Sequence, residues 1–237
     1  MRLDKLLSNL GFSSRSLCRE MIKKGRVQVD GIVCRDMAMH VPDGAKVTLD
    51  GKEIDTRVER YLMMYKPSGY LTAAEDKSQQ TVMDLLPKVY HSLGCMPVGR
   101  LDKDTTGLLL FTTDGDLAHR LIAPRHHVDK VYLARVDEPL TEEDEQAFRE
   151  GIKLQDFTAM PAKLERLEET LGRVTVQEGK YHQVKRMFSA RGKRVLELHR
   201  ASFGEMQLDK GMRPGDFREL KEKEIAALYQ AAGKAHE

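Results

Sequence analysis

Gly99-Arg100-Leu101-Asp102-Lys103-Asp104-Thr105-Thr106-Gly107-Leu108 sets acids, bases and hydroxyls between two glycines, and Leu108-Leu109-Leu110-Phe111 follows at once. A run of four apolar residues reads as a buried strand, so the polar cluster falls on the loop that leads into it. Charged groups on a loop beside a core strand are where a rigid scaffold presents chemistry. Outward from this point the chain alternates strands with single helices. Strands are expected at Tyr61-Leu62-Met63-Met64-Tyr65, at 128–136, and near 158–166, 172–178, 194–200 and 203–209. Helices are expected at 81–86, 116–122, from Thr141, at 181–190 and at 221–232. Acids follow Thr141 directly, where the positive end of a helix dipole favours them. Single helices between strands, with hairpin spacing late in the chain, predict an α+β fold with a mixed, mostly antiparallel sheet.

The first 59 residues form a separate pattern, joined by the polar stretch 56–60 to a second domain over 60–237. Leu3, Leu6, Leu7 and Leu10 recur at helical spacing and stop near Gly11. Ser13 or Ser14 can cap a second helix that ends at Gly25. Two alternating stretches then run into Asp30-Gly31 and Asp50-Gly51, pairs that favour tight hairpin turns. Between Ser13 and Arg26 stand five bases (Arg15, Arg19, Lys23, Lys24, Arg26) and one acid, Glu20. Taken alone, such a face is as easily a solvated surface as a binding one.

Bulk properties exclude several classes. With 41% hydrophobic and 32% charged residues the chain is an ordinary folded protein. No apolar run is long enough to span a bilayer, and the charged start Met1-Arg2-Leu3-Asp4-Lys5 does not read as a signal peptide. Cys18, Cys34 and Cys95 are isolated, which suits a reducing cytoplasm and small buried hydrophobes rather than disulfides or zinc. The net charge of +2 is uninformative, but Glu178 to Arg200 holds seven bases against two acids. Two basic patches, one in each domain, fit a folded RNA partner.

Three readings of Asp102-x-Asp104 stay open on spacing alone: a metal chelate, a single reactive acid, or turn chemistry shared with Thr105. In Tyr181-His182-Gln183-Val184-Lys185-Arg186-Met187-Phe188, read as a helix, Tyr181, Val184 and Phe188 form the buried stripe. Lys185 borders it and reaches inward, while Arg186 projects toward solvent or phosphate. Tyr132 and Lys130 share one face of a strand, where a lone tyrosine is ordinarily core. Neighbouring His126 and His127 point in different directions and lack a third ligand, so a polar loop is the simpler reading.

Joined, these stretches resemble the pseudouridine synthases, in the branch typified by the bacterial ribosomal small-subunit enzyme. Gly-Arg-Leu-Asp followed by Thr-Thr-Gly-Leu resembles the family's signature loop, and His182 to Arg186 its third block. Lys130-x-Tyr132 resembles the second block and Lys66-Pro67-Ser68-Gly69 the first. Residues 1–59 resemble an S4 domain, a small RNA-binding module. The resemblance implies an essential Asp102 at a flipped uridine, whose glycosidic bond is broken and remade through C5. It implies Lys185 as the cation beside Asp102, where many relatives carry Arg, and Tyr132 stacked on the base with Leu198 beneath it. Arg100, Arg186 and Lys130 would contact substrate, and Arg15, Arg19, Lys23, Lys24 and Arg26 would hold RNA phosphates. No metal or organic cofactor is implied. The expected partner is ribosomal RNA, 16S or a small-subunit assembly intermediate, met by a cytoplasmic monomer. Large-subunit RNA, a non-catalytic assembly factor and a metal-dependent phosphoryl-transfer enzyme are the alternatives.

Overall fold

The computed structural model describes residues 1–235. It divides into two compact units, residues 1–60 with 86–95, and residues 61–85 with 96–235. In the first unit, α1 (Leu3–Asn9) and α2 (Arg15–Lys23) precede β1 (Val27–Val29), β2 (Ile32–Val33), β3 (Val47–Leu49) and β4 (Lys52–Ile54). The four strands form an antiparallel sheet in the order β2-β1-β3-β4. Both Asp-Gly pairs make two-residue hairpins with both residues at positive φ, 51° and 80° at Asp30-Gly31 and 51° and 77° at Asp50-Gly51. Ser14 caps α2 by accepting from the Leu17 amide. Leu3, Leu6, Leu7 and Leu10 pack with Cys18, Ile22, Val27 and Val47 into one core. The short helix α3 (Lys88–Ser92), from a segment assigned by its sequence to the second domain, brings Val89 and Leu93 against that core.

The basic helix carries ion pairs that its own sequence does not show. Asp4 is fully buried, and Arg2, Arg15 and Arg19 all donate to its carboxylate, Arg19 at 2.8 Å. Arg26 pairs with Asp50 at 2.5 Å. Three of the five expected phosphate contacts are thus tied to carboxylates of their own unit, and Lys23 and Lys24 stand outside these pairs. Helical spacing cannot see an acid that reaches the helix from another element.

The second unit contains β5 (Tyr61–Lys66), β6 (Met96–Pro97), β7 (Thr106–Thr112), α4 (Gly115–Ile122), β8 (Lys130–Val136) and α5 (Glu142–Glu150). It continues through β9 (Lys163–Glu168), β10 (Leu171–Val176), α6 (Gln183–Ala190), β11 (Val195–Phe203), β12 (Met206–Gln207), β13 (Phe217–Glu219) and α7 (Glu222–Ala231). Seven strands run in the order β13-β5-β7-β11-β8-β10-β9, with β6 and β12 paired at the side. The β7–β11 pair is parallel and the other strand pairs are antiparallel. On one face Met63, Leu108 and Leu110 meet Leu117, Leu121, Ile225 and Leu228 from α4 and α7. Leu62, Met64 and Leu109 alternate to the other face and are equally buried, which is why these strands read as unbroken apolar runs. Phe148 of α5 and Phe188 of α6 pack ring to ring at 4.9 Å.

Several boundaries move. The helix expected from residue 181 begins at Gln183, because His182 takes a left-handed conformation at φ 50°. Tyr181 therefore leaves the buried stripe, which is Val184, Met187 and Phe188 together with Gln183. The first of the two late strands runs on to Phe203, leaving only Met206–Gln207 of the second. The strand expected from 158 starts at Lys163.

Candidate active site

The site is built where the parallel pair meets β8. In the strand register Gly107, Arg200 and Tyr132 lie side by side across β7, β11 and β8. A Cβ on Gly107 would stand 2.3 Å from the Arg200 carbonyl oxygen, and its φ is +109°, so only glycine lets these strands join. The loop carrying Asp102 enters β7 just ahead of this junction and is thereby set beside Tyr132. Asp102, Arg100, Thr105, Tyr132, His182 and Leu198 line one pocket.

That loop is gripped from β5 and the turn after it. Lys66 is fully buried and donates to the carbonyls of Pro67 at 3.0 Å, Lys103 at 3.1 Å and Thr105 at 2.9 Å. Burial pulls its pKa down to about 8, against the opposing pull of Asp104 and Asp102. Thr72 accepts from the Leu101 amide at 3.2 Å and donates to the Leu101 carbonyl at 2.8 Å. With Leu101 pinned on one side and Lys103 and Thr105 on the other, the Asp102 backbone has little room to move. The sequence reading took Lys66 to Gly69 chiefly for a turn; a lysine ending an apolar strand was the signal for this grip.

Lys185 projects from the first turns of α6, with its ammonium 3.0 Å from Asp102 Oδ2 and 2.5 Å from Asp104 Oδ1. One cation therefore bridges the two carboxylates. Burial opposes the charge on Lys185, but the bonds to Asp104 and Asp102 outweigh it and hold its pKa above the usual lysine value. Burial likewise pushes the Asp104 carboxyl up, and the Lys185 hydrogen bond overcomes it and holds it low. On the other side of Asp102, His182 Nε2 lies 3.5 Å from Oδ1. Sequence spacing left His182 ambiguous.

The segment before α6 is braced from within. Buried Glu178 accepts from the Gln183 side chain at 2.7 Å and from the Met160 amide at 2.8 Å. Gln183 in turn accepts from the Lys180 amide at 3.0 Å. Tyr132 and Leu198 are both nearly buried, at 8% and 7% exposure, and present their remaining surface to the pocket. Arg100 is exposed at its rim. Lys130 and Arg186 do not join the pocket lining. Lys130 is buried and donates to the carbonyls of Val128 at 2.9 Å and Gln177 at 3.2 Å. Arg186 is ion-paired with Asp156 and lies over the Phe157 ring.

The chain that carries this arrangement is similar to known proteins along nearly its whole length. Residues 60–190 match the RNA pseudouridylate synthase family, and residues 1–47 the S4 domain. An uncharacterized RNA pseudouridine synthase of Bacillus subtilis is 44% identical, over 97% of this chain and 99% of that one. The ribosomal small subunit pseudouridine synthase A of Escherichia coli is 40% identical, over 96% and 100%. A crystal structure of a pseudouridylate synthase superposes with a TM-score of 0.68 at 33% identity, over 96% of this chain and 99% of that one. With these matches running nearly end to end, the chain belongs to the RNA pseudouridine synthase family, as a member with an S4 domain ahead of its α+β catalytic domain.

Proposed function

We propose that this enzyme isomerises one uridine of small-subunit ribosomal RNA, and that Asp102 is its reactive carboxylate. The observation that carries the reading is the Asp102–Lys185 pair, open on one side to a pocket floored by Tyr132 and Leu198. Full-length relatives named for the ribosomal small subunit support the substrate.

In the proposed reaction the uridine leaves its stack and its ring lies on Tyr132, which recovers part of the unstacking cost. The N1–C1′ bond breaks and the uracil turns over. A C5–C1′ bond forms, C5 loses its proton, and N1 ends with one, so the product is an isomer and no redox partner is needed. Lys185 gives Asp102 a cationic partner at 3.0 Å, and the fixed loop spares the site a reorganisation cost. In this reading Arg100 contacts the sugar-phosphate, and Lys23 and Lys24 of the S4 domain contact phosphates elsewhere on the RNA. The enzyme acts as a cytoplasmic monomer in this reading, with the division between domains near residue 60.

The test is chemical mapping of pseudouridine in ribosomal RNA, free and in small-subunit particles, after incubation in EDTA with the wild type or Asp102→Asn. One new site in 16S RNA with the wild type and none with the variant is the expected result. A site in large-subunit RNA, or activity lost to EDTA, contradicts the proposal.

A further inference from the structure

Tyr181 is the most exposed aromatic residue among those described, at 71%, although its position in the sequence suggested core. Its ring stacks on His182, with centroids 3.8 Å apart and planes within 17°. The inner ring of this stack reaches the reactive carboxylate, since His182 Nε2 lies 3.5 Å from Asp102 Oδ1. One face of Tyr181 is thus covered and the other is open. Together with Arg100, Lys180 and His182 it walls a groove that runs along the Asp102 loop.

The segment that carries the ring is braced on both sides of it. Glu178 accepts from the Gln183 side chain and the Met160 amide, and Gln183 accepts from the Lys180 amide. His182 takes a left-handed conformation, uncommon for a residue with a side chain, and its ring lies between Tyr181 and Asp102. An aromatic face backed by a second ring and open to solvent beside basic residues is the usual form of a base-stacking platform.

We propose that Tyr181 stacks on a base adjacent to the target uridine. The column of base, Tyr181 and His182 then holds the RNA in register, so that the neighbouring uridine enters the pocket over Asp102. The inference rests on the reading of this pocket as the uridine site. It assigns to the groove a single-stranded nucleotide flanking the target, whose base is held by its face and not by its edge. Discrimination among bases at that position is accordingly weak, with purines ahead of pyrimidines by their larger ring.

The experiment uses the full-length protein and the shortest ribosomal RNA fragment that the wild type modifies, with 2-aminopurine placed in turn on each side of the target uridine. With Asp102→Asn, which binds without turnover, fluorescence at one of the two positions is expected to be quenched on binding. Tyr181→Ala in the same background abolishes that quenching, and Tyr181→Phe restores it. In the active enzyme Tyr181→Ala raises KM about tenfold, with kcat at saturating RNA within about twofold. Unquenched fluorescence at both positions, or an unchanged KM in Tyr181→Ala, overturns the proposal while leaving the isomerase reading intact. If the wild type forms pseudouridine in no RNA fragment, the isomerase reading of this chain falls first and takes the inference with it.

Discussion

Asp4 and Asp102 are both aspartates surrounded by cations, yet they are built to opposite ends. Asp4 is fully buried and receives three arginines on its two oxygens. Asp102 keeps 23% of its side chain exposed, takes one lysine at 3.0 Å, and faces a pocket. The first carboxylate has its acceptor capacity filled by its own fold and serves to tie α1 to α2. The second is aimed at the pocket and left with lone pairs for something else. Asp144 shows that the difference is not between the two units. Within the catalytic domain it too is fully buried, closed by Arg191 at 3.0 Å, Lys193 at 2.9 Å and the cap of α5. A charged pair is a candidate reactive site when the carboxylate is incompletely satisfied, not merely when it is paired.

The comparison can be broken by neutralising each partner in turn. Asp102→Asn should lower pseudouridine formation by on the order of 10³-fold or more, with no loss of thermal stability, as followed by product mapping and calorimetry. Lys185→Ala should cost about 100-fold in kcat, and Lys185→Arg should recover part of it in a single-turnover assay. Asp4→Asn should do the reverse, destabilising the first unit by about 2 kcal/mol. That lies below the usual cost of breaking a buried pair because the arginines themselves are half exposed. Its denaturant midpoint should fall while kcat at saturating RNA holds. If Asp4→Asn removes turnover at full occupancy, the division drawn above is wrong.

A pH series sharpens the same contrast. Burial opposes the Asp4 charge, but the bonds from Arg15, Arg19 and Arg2 hold its carboxyl well below the usual range. With the folded pKa depressed, the stabilisation is whole above about pH 4 and drains away as the pH falls toward the folded value. Asp4→Asn should flatten that acid limb of the stability curve. Lys66 and Lys130 act in the opposite direction, since burial pulls both to about 8. Between pH 8 and roughly 10.4 the unfolded chain binds more protons at these lysines than the folded one, so their contribution favours folding as the pH rises. Lys130→Met should reduce that alkaline rise, the smallest of the effects, in urea titrations across the range.

Legibility in the sequence followed the range of the interactions. The Asp-Gly hairpins, a cap at Ser13 or Ser14, the helix start at Thr141 and the apolar strand after Gly107 depend on neighbours within a few residues, and they were readable directly. Lys185 was read as inward from its place four residues after Tyr181 in the supposed helix; it does reach Asp102, although Tyr181 itself precedes α6. The bonds that were not readable join distant residues: Arg15 and Arg19 to Asp4, Lys66 to the Thr105 carbonyl, and Glu178 to the Met160 amide. Tyr181 was misplaced for a related reason. Its spacing fits the stripe of α6, and only the backbone at His182 shows that the helix has not yet begun. Lys130 shares the face of Tyr132 as expected, but the strand carries it beyond the pocket to a pair of carbonyls.

Asp102→Asn and Asp104→Asn, assayed side by side for pseudouridine yield in EDTA, test the central claim most directly. Lys185 bridges both aspartates, but Asp104 is 72% exposed and lies outside the pocket lining, whereas Asp102 is within it. The account expects no product with Asp102→Asn and yields within a few-fold of wild type with Asp104→Asn. Equal losses from the two substitutions, or product from Asp102→Asn, would contradict it.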